Sequence, residues 1–267
     1  MPDMTPAPRR RPLWRLFIMP ALLVVAAAAW SAFWFYAASE VGVRADAWAA
    51  QEAKSGRVYA CGKREVAGFP FRFEVRCDDA SVSLFAQTAE KASFTARLSE
   101  IMVIAQIYQP KLLIAEFKAP ATLSDRGQPP SLKVNWSLGQ SSVYGLPDVP
   151  QRASIEFNNL SIDRVNGPVA TPLAKASHVE LHGRIAEGSA QDNPVIQTVL
   201  RIAGGNVQEV HPLLAQPFDA DIETKLTGLK DFSPKPWPER FRELQAAGGH
   251  VEIVRSRIQQ GLSLIHI

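Results

Sequence analysis

At 267 residues, with 46% apolar and 21% charged positions, the chain has the composition of a folded protein, which excludes wholesale disorder. The net charge is only +3 and sits largely in four arginines before residue 16, so the remainder is near neutral with both signs interspersed. A nucleic-acid footprint, which needs lysine and arginine gathered on one face, is thereby disfavoured.

The first residues, PDMTPAPRRRP, have no apolar period and read as the start of a short basic cytoplasmic tail over 1–15. From Leu16 to Ser39 there follow 24 residues without a charge. At about 1.5 Å per residue, such a helix exceeds the roughly 30 Å hydrocarbon core of a bilayer and can span it with some tilt. A cleaved signal peptide is the rival reading, and Ala37-Ala38-Ser39 would permit cleavage. The run is longer than a usual h-region, however, and ends in Trp30, Phe33, Trp34, Phe35 and Tyr36, side chains suited to the headgroup level. Arg9, Arg10, Arg11 and Arg15 precede the span while Glu40 follows it. The positive-inside bias therefore predicts one transmembrane anchor over 16–39, a cytoplasmic N-terminus and an extracytoplasmic body over 40–267. Val43 to Ala53 is expected to form a helix continuing from, or stacked after, the span.

The only cysteines are Cys61 and Cys77, with GKREVAGFPFRFEVR between them. Phe71, Phe73, Val75 and Cys77 alternate with Arg72, Glu74 and Arg76, the period of a strand, and Val58 to Cys61 can form a second one. A turn near Gly68 would bring the two cysteines together. In an oxidising compartment a structural disulfide is the expected state. A metal site would need two more ligands, and the five histidines are remote; a redox pair is usually C-x-x-C.

An anchor followed by Cys61, Gly62, Val66, Gly68, Phe69, Pro70, Phe71, Arg72 and Cys77 in this spacing resembles a bacterial envelope family known as domain of unknown function 2125. A second match is Trp237 with FRELQAAGGHVEIVRSRIQQG. The resemblance covers essentially the whole chain and implies an inner-membrane protein with a periplasmic domain, similar in style to AsmA-like proteins. It implies no activity, substrate or catalytic residue.

Beyond Cys77 the chain alternates in short runs: SVSLFA, SFTARL, IMVIAQIY, LLIAEF, SLKVNWSL, SIEFNNLSID, HVELHGRI and DADIETKLTGL. Strands about ten residues apart, punctuated by glycine and proline, predict a mainly β body: an antiparallel meander without βαβ units. One or two short helices are expected to interrupt it. Asn206 to Ala215 is weak because of Pro212, while Trp237 to Ala247 is stronger, with Pro238 in its first turn and Gly248-Gly249 as its stop. The chain ends six residues after Gly261, at LSLIHI, where members of the resembled family continue with further strands. A truncated or chimeric frame is expected there; the other reading is a short strand pairing with an edge.

No catalytic, cofactor-binding or metal motif emerges. His178, Glu180 and His182 share one strand face, more in keeping with a solvated surface than with a metal. An enzyme is not expected. The favoured function is a non-enzymatic envelope protein whose one-sidedly apolar sheet contacts lipid or another envelope component. Candidate lipid-contact residues are Phe94, Val103, Ile107, Val134 and Trp136. The alternative is a scaffolding module that binds a partner protein through its sheet edges. A sheet with one apolar face must cover it with a second layer, a helix or a ligand, and a sandwich is the commoner solution.

Overall fold

The computed structural model describes residues 14–267 except 86–92, 126, 147, 210–211, 234, 262 and 267; the expected basic tail thus lies almost wholly outside the described residues. Helix α1 runs unbroken from Trp14 to Lys54, with Pro20 inside it. The two helical pieces expected from the sequence are therefore one. Only Gly42 lies between them as a poor helix former, and its cost of about 1 kcal/mol does not break a helix packed on both sides of it. Ser31 and Ser39 turn their hydroxyls back onto the Ala27 and Tyr36 carbonyls instead of capping. The helix stops at Gly56, whose φ of 79° suits glycine, and a Cβ there would meet the Phe85 carbonyl at 2.7 Å.

Thirteen strands follow among the described residues, all paired antiparallel in one sheet. They are β1 (Arg57–Ala60), β2 (Lys63–Ala67), β3 (Arg72–Leu84), β4 (Phe94–Gln106), β5 (Gln109–Asp125), β6 (Leu132–Asn135), β7 (Leu138–Tyr144), β8 (Arg152–Arg164), β9 (Thr171–Ser189), β10 (Asp192–Val207), β11 (Phe218–Leu226), β12 (Val251–Gln260) and β13 (Ser263–His266). β1 and β2 both pair with β3 and form one edge strand interrupted at Cys61-Gly62. β6 and β7 likewise form one strand between β5 and β8, interrupted at Trp136-Ser137. The topology is thus a meander in chain order, as the alternating runs predicted.

Cross-strand pairing defines two unlike faces. One rung reads Val66, Val75, Val103, Ala115, Ser141, Ile155, Leu181, Leu200, Ile222 and Ser256 from β2 to β12. The rung beside it, on the opposite face, reads Arg76, Met102, Glu116, Gln140, Glu156, Glu180, Arg201, Asp221 and Arg257. Because side chains alternate at period two, one face is apolar and the other charged along nearly the full width.

Midway along the strands the phase of the pattern changes. Phe73, Val75 and Cys77 give way to Ala80, Val82 and Leu84; Phe94, Ala96 and Leu98 give way to Ile101 and Val103; Ile155 and Phe157 give way to Leu160 and Ile162. Asp79 and Asn159, both at φ 52°, and Ser99 sit at these changes, skipped by the ladder. A seam of irregular residues therefore crosses the sheet, and the added residue in each strand keeps the apolar side chains on one face while increasing the local twist. At the break in β10, a Cβ on Gly205 would meet both Ile202 and Phe218, which places those two side chains on the same face across the break. Serines hold the seam: Ser99 donates to the Lys118 and Ala119 carbonyls, Ser137 to that of Asn158 and Ser177 to that of Ala203.

Among the described residues the strands pack extensively only on their ladder neighbours, and almost no apolar side chain of the sheet is buried, so the sheet is a single layer. The expected sandwich does not form. A compact chain of 29.3 kDa would expose about 11,500 Å²; this one exposes 18,228 Å², to which the free-standing half of α1 and the uncovered apolar face both contribute. The second half of α1 instead lies along the start of β3 and the β1/β2 edge, through Trp34 on Phe73 of β3, then Asp46 on Arg64 (2.7 Å), Trp48 on Tyr59 and Glu52 on Arg57 (2.5 Å). Covering an edge in this way hides backbone groups that would otherwise recruit another strand.

The Trp237–Ala246 helix, α2, forms where expected, with a proline in its first turn. It belongs to an excursion between β11 and β12, tied together by Lys235 and Arg240 on Glu243 (2.8 and 3.1 Å) and by Arg240 on Asp231. The weaker helix over Asn206 to Ala215 is not found: Asn206 and Val207 finish β10, residues 210–211 lie outside the described residues, and Pro212–Ala215 is one 3-10 turn. Pro212 cannot donate within a longer helix, and the buried Asn206 amide bonds the Ala215 carbonyl.

Candidate functional site

Of the five candidate lipid-contact residues, Phe94, Val103 and Val134 lie within strands on the apolar face. Val103 is on its central rung. Phe94 pairs with Leu84, and Val134 pairs with Ala121 and Ile162 beyond the seam. Ile107 follows the end of β4 at Gln106, and its N–H on the Phe71 carbonyl carries the β3–β4 register one residue further, into the turn to β5. Trp136 sits at the break between β6 and β7, and so ends the uniform alternation read from Leu132 to Leu138. Its indole donates to the Phe117 carbonyl (2.8 Å), meets Phe157 edge-on and fills the space over Gly139. The indole thus packs on the apolar face itself, against Phe157 and Gly139, two positions from Ile155 and Ser141, and a charge there would disrupt this packing as well as alter the surface. Leu181, 41% exposed at the middle of the apolar face, is the better probe.

Cys61 and Cys77 form the expected disulfide, with Cα atoms 5.6 Å apart. It fastens the β1/β2 edge to β3 beside the docked helix.

The charged face centres on Glu180. Arg201 donates to it at 2.6 Å, and His182 and His178 approach its other oxygen at 3.3 and 3.6 Å. Arg201 also faces Asp221, which Arg255 contacts at 3.1 Å. The Arg201 guanidinium, more than any other group, holds the Glu180 carboxyl at about 2. The sequence could not show this, because residues about 20 positions apart meet only through the register of β9 and β10. Among the described residues no group of three or more histidine, cysteine, aspartate or glutamate side chains suits a metal. A shallow concavity of about 650 Å³ lies beside this network, floored by Leu112, Ile114 and Val199 and rimmed by Arg152, Arg184 and Arg201.

Glu180 predicts a pH dependence. Its folded value lies below the ordinary 4.5, so its contribution to stability is present above pH 4.5 and is lost as pH falls toward 2. After allowance for solvent screening, wild type should lose about 1 kcal/mol more than Glu180→Gln over that interval. Parallel pH–stability curves for the two proteins would refute the assignment.

The fold and its two faces define a class: a single-layer antiparallel sheet, apolar on one side, carried behind a helix that is long and apolar enough, by length and composition, to cross a membrane. Residues 34–266 match the family described as uncharacterized protein conserved in bacteria, DUF2125, and the chain belongs to that family. No curated protein and no solved structure matches it.

Proposed function

We propose that this is a single-span inner-membrane protein whose periplasmic sheet offers its apolar face to the acyl chains of envelope lipid. The observation that carries the proposal is the apolar rung from Val66 to Ile222, which no second layer of protein covers among the described residues. An apolar face of that width is costly in water, at about 25 cal/mol per Å², and needs an apolar occupant. Retention of the helix is supported by Trp30 and Trp34, which bond the β2–β3 turn, and by a family match that begins inside the helix, at residue 34. The arginines before the span support a cytoplasmic N-terminus, and the disulfide supports an oxidising compartment for the body.

Leu181 and His182 are adjacent in β9 but point to opposite faces. A photocrosslinking amino acid placed at either position in cells should give a lipid adduct by mass spectrometry at 181 and none at 182. Capture of a protein at 181 would instead favour the scaffold reading, and equal labelling at both positions would end the lipid reading.

A further inference from the structure

We infer that the β2–β3 and β4–β5 turns form an apolar wedge seated in the periplasmic leaflet of the bilayer that α1 crosses, so that the sheet meets the membrane with its strand ends. The inference rests on the anchor reading but not on lipid binding by the apolar face. Its first support is level. The Trp30 indole donates to the Pro70 carbonyl at 3.0 Å and the Trp34 indole to the Arg72 carbonyl at 3.1 Å, while Phe35 stacks on Phe69. Glu40, the first charge after the apolar run, is ten positions beyond Trp30, or about 15 Å along the helix. A turn held beside residues 30–35 is therefore at the depth of the last apolar turns of the span.

Its second support is chemistry. The tips carry Phe69, Phe71 and Tyr108, exposed by 49, 64 and 72%, and no charge lies between Ala67 and Phe71 or at Ile107-Tyr108. Arg72 and Lys111 begin where the tips end, as suits a headgroup layer. The third support is the backbone, which in hydrocarbon must be paired internally. Pro70 has no N–H, and the carbonyls of Gly68, Pro70, Phe71 and Arg72 accept from Arg72 N, Trp30 Nε1, Ile107 N and Trp34 Nε1. An exposed water-facing turn has no need of such pairing.

The native chain has no free cysteine among the described residues, so single cysteines can carry an environment-sensitive fluorophore. Phe71→Cys and Tyr108→Cys would be compared with Leu22→Cys in the span and Val169→Cys, 76% exposed in the β8–β9 loop at the opposite end of the strands. All four would be made in the full chain, reconstituted into phosphatidylethanolamine and phosphatidylglycerol vesicles with doxyl lipids. Labels at 71 and 108 should be blue-shifted and lose intensity to a shallow doxyl group, as 22 does to a deep one, while 169 is unaffected. Behaviour of 71 and 108 like that of 169, with 22 still quenched, overturns the wedge and leaves the anchor standing. An unquenched label at 22 overturns both.

Discussion

Trp34→Ala is expected to destabilise the protein by about 3–5 kcal/mol, the usual cost of deleting a buried tryptophan. Trp34 is 3% exposed, stacks on Phe73 at 5.5 Å, meets Phe69 edge-on and bonds the Arg72 carbonyl. It is the deepest point of contact between helix and sheet, and its loss leaves both a cavity and an unpaired carbonyl. Trp34→Phe should keep most of the stacking and forfeit the hydrogen bond, a cost nearer 1 kcal/mol. Urea unfolding of detergent-solubilised protein, followed by near-UV circular dichroism, separates the two variants. If the alanine variant unfolds within about 1 kcal/mol of wild type, the helix is not packed on the sheet as described.

Replacing both Cys61 and Cys77 by serine is expected to cost about 3 kcal/mol, from the entropy of releasing a 16-residue separation in the unfolded chain, an account that depends on the model of that state. The loss should be local as well as global. β2 is held to the sheet on one side only, by β3, and Arg64 within it carries the ion pair to Asp46 and a bond to the Gly42 carbonyl. Limited proteolysis of the double variant should therefore cut first within residues 61–68. Reductant should shift the unfolding midpoint of wild type and leave that of the variant unchanged. Equal sensitivity of both proteins to reductant would show that the bond is not what stabilises this edge.

Both effects fall on one junction, where the apolar helix, the GFPFRF turn and the first full strand meet. If the wedge is correct, this junction also sets the height of the sheet above the bilayer, and the apolar face begins at the membrane surface. Acyl chains could then reach the rung at Val75 and Val103 without crossing water, which links the anchoring of the protein to its proposed lipid contact.

Much of this was legible locally. A charge-free run of 24 residues, strict alternation in FPFRFEVRC and a proline-started helix closed by two glycines each encode their element in neighbouring residues, because hydropathy and backbone preference act within one or two turns. Even the seam left a trace, in the shift from Phe94, Ala96 and Leu98 to Ile101 and Val103, although alternation alone does not say whether a bulge or a turn absorbs the extra residue. Parity alone is equally silent on where strands stop: Ile107 lies just past a strand end and Trp136 at a strand break. Whether the apolar face would find a second layer was not encoded in any short stretch, since it depends on whether distant strands fold back on one another. Nor was the Glu180 network, which joins β9, β10, β11 and β12 only once their register is set. The same holds for Trp30 and Trp34, which in the sequence are aromatic residues at a membrane boundary and in the fold are the donors that hold a turn 38 to 40 positions away, because long-range pairing alone brings those carbonyls within reach.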